Sequence, residues 1–228
     1  MLQGAVGAFM EHQAGPLASF PTMTSYVPLS SLVEGDEQAL QEIVSLLDSA
    51  PADAAVSPLT QRQYALQRAQ LFSSDEAAVQ GLPLALGFDK GPRHSFKKMI
   101  EHPFDGFFFT LVHSLSRPFS RGSIHITSTN IQDNPAIDPN YLAHPLDLEI
   151  AARGVLHAQK LATTEPLASR IKSSEDGKKK VPLKGIKWAE NIQDARDVAR
   201  GTVFTQWRKF LFCFIQHWPL FCVLPLMS

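Results

Sequence analysis

The chain has 228 residues, 44% hydrophobic and 19% charged, which supplies enough apolar side chain for a packed core and excludes a wholly disordered polymer. Twenty-one Lys and Arg against 22 Asp and Glu leave a net charge of −1, so bulk charge argues for neither nucleic acid nor an anionic membrane as partner. Both cysteines, Cys213 and Cys222, fall after residue 212, which excludes a disulfide framework and a thiolate metal site from the preceding body.

The opening "MLQGAVGAFMEHQAGPL" has no basic n-region and only a broken apolar stretch, so it is not expected to act as a secretory signal. No G-x-G-x-x-G occurs in the chain, and a doubly wound nucleotide-binding domain is therefore not expected within it. Residues 15–35 are rich in Gly, Pro, Ser and Thr and read as loop with short strands. A helix is expected from Asp36, with Leu40, Ile43, Val44 and Leu47 on one face and acidic residues at its positive end. A weaker helical pattern covers 59–72, and "GLPLALGFDKGP" then breaks regularity.

"DGFFFTLVHSLSRP", residues 105–118, is aromatic and β-branched between turn residues, as expected of a strand half buried in a sheet. Alternation separates Phe107, Phe109, Leu111, His113 and Leu115 from Phe108, Thr110, Val112 and Ser114. The greasier first set is expected against helices and the second toward a cavity or solvent, although a one-residue change of phase exchanges them. "SIHITS" follows as a second strand, expected beside the first. After two X-Pro steps a helix starts near Pro145, with Leu148, Ala151, Val155 and Ala158 or Ala162 on one face. The basic run within 173–187 reads as solvated surface, and 188–200 as an amphipathic helix through Trp188, Ile192, Ala195 and Ala199.

The histidines and serines show no catalytic or metal-binding context. His113 and His125 lie in strands, where packed or surface roles are commonest; His102, His144 and His157 have no metal-ligand spacing. Ser114 and Ser120 lack a G-x-S-x-G setting.

Residues 117–162, "RPFSRGSIHITSTNIQDNPAIDPNYLAHPLDLEIAARGVLHAQKLA", resemble the glucose-methanol-choline (GMC) flavin oxidoreductases through Ser120-Arg121-Gly122, Pro135, Ile137-Asp138-Pro139, Tyr141-Leu142 and Asp147. "GPLAS" (15–19) is similar to the substrate domain of aryl-alcohol-oxidase-like members, and the likeness runs over roughly 12–207. It implies an α+β fold, an antiparallel sheet backed by helices, with 1–116 as part of a substrate-binding domain and 117–207 as the start of the family's C-terminal region. Arg121-Gly122 and Asp138-Pro139 are expected to serve turns and a carbonyl cap or ion pair. The resemblance further implies an FAD-dependent enzyme that oxidises a small-molecule alcohol, with Phe108, Thr110, Val112 and Ser114 facing the substrate.

The family's catalytic histidine belongs to an H-P-x-G-T type segment, which this chain does not show after Trp207; no catalytic role is carried onto His217. The chain alone is therefore expected neither to bind FAD nor to oxidise alcohols, and to be a piece without the flavin-binding parts. A stand-alone binding module and a tail-anchored membrane protein are the competing expectations.

Residues 208–228 depart from the family. Fourteen of the 18 residues from Phe210 to Met227 are apolar, short of the ~20 that a spanning helix needs. Trp207-Arg208-Lys209-Phe210 can be written TGG CGT AAG TTT, containing the intron-like GTAAGT, so the tail is expected to be translated noncoding sequence. It is also expected to lack a partner strand and to promote aggregation.

Overall fold

The computed structural model describes residues 2–12, 24–48, 57–84, 108–174, 180, 188–202 and 219–225, with the backbone alone at 2, 3, 5, 8, 9, 83, 84, 108 and 219–225. The fold is α+β, with two small antiparallel sheets and helices backing the larger one. That larger sheet runs in the order β1 (Ser25–Val27), β2 (Val79–Leu84), β3 (Phe108–Leu115) and β6 (Pro219–Pro225). A separate ribbon pairs β4 (Ser123–His125) with β5 (Ala136–Asp138).

α1 is Leu2–His12 and α2 is Leu29–Val33, which begins after Pro28 and ends at Glu34 in the left-handed region. α3, Glu37–Asp48, is capped by Asp36, whose Oδ1 accepts the Ala39 N–H at 3.0 Å. Its buried face is Ala39 and Ile43, with Leu46 and Leu47 packed alongside; Leu40, expected inward, is exposed, so the buried stripe lies one position away from the expected one. α4, Pro58–Leu71, starts at Ser57, whose Oγ accepts from Thr60 N–H, with Pro58 preset for the first turn.

The central element is α5, Pro145–Ala162, which packs against β3, α2, α3 and α6 (Ile192–Thr202). Leu146, Ile150, Ala151, Ala152, Val155, Ala158 and Ala162 are all buried on it, wider coverage than the single expected stripe. The helix is sandwiched between sheet and helices, so more than one face must be apolar. Ala195 and Ala199 let α6 approach it closely; 188–191, expected as helix, precede the helix as coil.

Three expectations are corrected. The stretch from Gly81, expected to break regularity, is strand as far as Leu84, within β2, and the rest of it lies outside the described residues. An added Cβ at Gly81 would come within 2.4 Å of Ser25 Oγ and 3.0 Å of His113 Nε2, so these two side chains close over its bare backbone, and Pro83 lies beyond the end of the β1 ladder, which stops at Gly81. β4 does not lie beside β3. Both edges of β3 are taken by β2 and β6, and a Cβ on Gly122 would meet the Asp138 carbonyl oxygen at 2.5 Å, so the chain there closes onto β5 instead. The tail does have a partner strand: Pro219–Pro225 pairs antiparallel with β3 from Ser114↔Pro219 to Phe108↔Pro225. An extended apolar segment finds hydrogen-bond partners along the otherwise open edge of β3, and its terminal prolines suit an edge position. Among the described residues no helix is long and apolar enough to cross a membrane. "GPLAS", the 173–187 run in large part, and His102 lie outside the described residues.

Candidate functional site

The segment that carries the sequence pattern, 117–122, is a turn docked on one carboxylate. Asp147, in the first turn of α5, accepts the Phe119 N–H on Oδ1 and the Ser120 N–H on Oδ2, both at 2.7 Å. It is buried, and burial raises its pKa, while the Ser120 hydroxyl and the two N–H donors act in the opposite sense. Ser120 Oγ accepts from His144 N–H at 2.9 Å, and His144 Nδ1 accepts from Leu146 N–H at 3.2 Å to cap α5. Burial lowers the His144 pKa, which keeps that nitrogen an acceptor.

Arg121 completes the turn. One guanidinium nitrogen donates to the Pro118 and Ser120 carbonyls at 2.6 and 2.9 Å; the other donates to Gln67 Oε1 at 2.6 Å, and the group lies over the Tyr64 ring. Arg121 is thus a carbonyl cap, as expected, and Gly122 permits close backbone approach. Asp138 Oδ1 accepts from Asn140 N–H, closing the turn expected at Asp138-Pro139. These residues hold the turn and none is free for chemistry.

β3 sorts its side chains by face. Leu111 packs with Ala158, Ala162 and Ile171, Phe109 lies against the same cluster, and Leu115 joins the α5 core, so the greasier set faces the helices. On the other face Thr110 and Val112 are fully buried and Ser114 is half-buried; the Phe108 side chain lies outside the described residues. Ser114 is in register with Gln80, and Gln80 with Tyr26, which makes one cross-strand row. Tyr26 and Gln80 line an open cleft of about 510 Å³ between the β1–β2 end of the sheet and α4. Neither residue was a sequence candidate, because a lone Tyr and Gln in weak strands carry no motif.

His113 is packed on the helix face, as expected, and His125 is exposed. Burial, with a smaller contribution from His157, pushes the His113 pKa down to about 3, against a hydrogen bond to the Gly154 backbone. The His113 and His157 rings meet edge-on at 5.5 Å. Among the described residues no three His, Cys, Asp or Glu side chains form a metal-binding group. The structure also shows an ionic cluster that sequence analysis missed. Glu149, buried in α5, pairs with Arg153 and with Arg196 of α6 at 2.6 Å each, and Glu42 of α3 joins both arginines at 3.4 and 2.5 Å. The i,i+4 spacing of Glu149 and Arg153 was the available signal.

Among the described residues every strand pairing is antiparallel, and no strand leads through a glycine-rich turn into a helix N-terminus.

Comparison with known proteins agrees with this frame. A family profile for GMC oxidoreductase matches residues 118–210. A dehydrogenase of Monascus purpureus, mpl7, is 23% identical over 210 residues, covering 89% of this chain and 33% of its own. Among solved structures, an FAD-dependent oxidoreductase from Chaetomium thermophilum superposes with a TM-score of 0.58 at 12% identity, over 88% of this chain and 31% of that one. A fungal aryl-alcohol oxidase gives 0.55 at 15% identity, over 86% and 30%. These superpositions show a shared fold, and the chain spans about one third of the length of the relatives it matches over most of its own.

Proposed function

We propose that this chain, whose residues 118–210 match a GMC oxidoreductase family model, supplies one wall of the substrate site of a flavin-dependent enzyme acting on CH–OH groups. When bound, FAD supplies the hydride acceptor for the alcohol carbon. This chain's own part is to shape and dry the space next to that carbon. The wall is the β3 face of Phe108, Thr110, Val112 and Ser114. The observation that carries the reading is the strand's phase: Phe109, Leu111 and Leu115 are used by the helix-side core, which puts Thr110, Val112 and Ser114 on the opposite, smaller and more mixed face. A small-molecule alcohol is the partner that this mixed surface suits, since Thr and Ser hydroxyls both donate and accept.

The 228 residues contain neither a glycine-rich pyrophosphate turn nor an H-P-x-G-T segment, so the chain by itself is expected to purify colourless and to lack alcohol oxidase or dehydrogenase activity. A flavin spectrum retained after expression with excess FAD would overturn this. The wall is tested separately by placing Thr110, Val112 and Ser114 at the matching strand positions of the fungal aryl-alcohol oxidase. A change of at least severalfold in its preference among alcohols is expected; an unchanged ranking would remove these residues from the substrate site.

A further inference from the structure

The cleft beside α4 shares Gln67 and Arg117 with the docked turn, and the rest of its lining belongs to neither the turn, the helix-side core nor the β3 wall. We propose that it binds a neutral, hydroxyl-rich ligand of about disaccharide size, at a site distinct from the alcohol oxidised next to a flavin. Its volume of about 510 Å³ falls in the range of small-molecule sites.

The donor set is the first argument. Gln63, Gln67 and Gln70 follow the i, i+4, i+7 spacing along α4, and Gln80 reaches the same cleft from β2. Gln67 is committed: its Nε2 donates to the Pro118 carbonyl at 3.1 Å and its Oε1 accepts from Arg121. That fixes the cleft floor and leaves three amides around it. Each amide both donates and accepts, as each hydroxyl of a polyol does.

Ser116 is the second, independent argument. It is only 8% exposed and lines the cleft, its backbone N–H is used by the Ala78 carbonyl, and its Oγ has no hydrogen-bond partner among the described residues. The Oγ itself is closed off beneath the lining, and a rotation about χ1 that turns it into the cleft would let a ligand hydroxyl supply the partner it lacks.

Charge and apolar surface narrow the class. Arg117, the cation of the cleft, is paired with Glu76 at 2.5 Å, and Asp75 adds a further negative charge, so an anionic ligand is disfavoured. Tyr26 is 66% exposed and Leu66 65% exposed on the lining, giving flat apolar surface of the kind the C–H faces of a sugar ring pack on. A wholly apolar ligand would bury the glutamine amides and Ser116 Oγ unpaired.

The test is saturation-transfer NMR on the full 228-residue chain with trehalose, benzyl alcohol and glucose 6-phosphate as probes. Trehalose is expected to receive saturation with a millimolar dissociation constant, and the other two to receive little. Gln80→Leu should weaken trehalose at least tenfold, and Ser116→Ala severalfold while its melting temperature stays level or rises. Absence of transfer to trehalose, or transfer unchanged in both variants, would overturn the proposal. Benzyl alcohol competing equally with trehalose would also overturn it, and would assign the cleft to the alcohol site instead. Failure of the flavin experiments above leaves these outcomes unchanged.

Discussion

The ribbon at 123–138 and helix α5 are near neighbours in the sequence, yet their apolar residues meet opposite fates. Ile150 of α5 is 4% exposed and Ala152 is inaccessible, whereas Ile126 is 87% and Ile131 92% exposed, and Ile124 and Ile137 face each other in the ribbon largely in solvent. The ribbon is held by local polar contacts: Thr127 Oγ1 donates to the Asn134 carbonyl, and Ser128 and Asn130 both donate to the Asp133 carboxylate. α5 is held by its packed neighbours β3, α2, α3 and α6, and carries two buried carboxylates, Asp147 in its first turn and Glu149 just beyond it. Alternating apolar residues are enough to make a strand pair, but burial requires another element to cover it, and the turn at 117–122 directs the ribbon away from the sheet that could have done so.

Four measurements bear on that contrast. The largest effect is expected from Glu149→Ala, which leaves Arg153 and Arg196 without their buried carboxylate; a loss of about 3–5 kcal/mol is expected in urea denaturation. A loss under about 1 kcal/mol would mean that Glu42 alone suffices to hold the two arginines.

Asp147→Ala follows, at about 3 kcal/mol, because the Phe119 and Ser120 N–H groups lose their acceptor in a buried site. Asp147→Asn keeps one acceptor oxygen and should recover part of this. Equal losses for the two variants would show that the turn is held by Arg121 instead.

Acid should destabilise the helix side. The folded pKa of His113 is about 3 against an ordinary 6.5, so below pH 6.5 the unfolded chain takes up a proton that the folded chain does not. The neutral ring's contribution is fully present above pH 6.5 and is lost progressively as pH falls toward 3, on the order of 3 kcal/mol by pH 4. His157, whose pKa burial also lowers, faces Glu34 and Lys160 and adds to the same trend. His113→Leu should flatten the pH 4–7 stability profile; an unchanged slope would assign the acid sensitivity to other groups.

The smallest effect is expected in the ribbon, where Ile131→Ala should change stability by no more than about 0.5 kcal/mol because no packed neighbour is lost. A larger loss would mean that Ile131 is covered in solution.

Much of the local structure was determined by the sequence itself. The strand at β3 and its phase, the helices at α3, α4 and α5, and the turn character of Arg121-Gly122 follow from alternation, 3.6-residue spacing and glycine placement, all of which act over a few neighbouring residues. The family pattern was legible for the same reason, being a run of turn and cap residues within one stretch. Tertiary structure alone decided the rest. β2 is a strand through its pairing with β1 and β3, whose residues lie far from it in the chain. The Glu42–Glu149–Arg153–Arg196 cluster needs three helices brought together, and the cleft needs α4 laid beside the β1–β2 end of the sheet. The tail's pairing with β3 depends on an edge that exists only once the sheet has formed, and backbone hydrogen bonding is indifferent enough to side chains that composition did not reveal it.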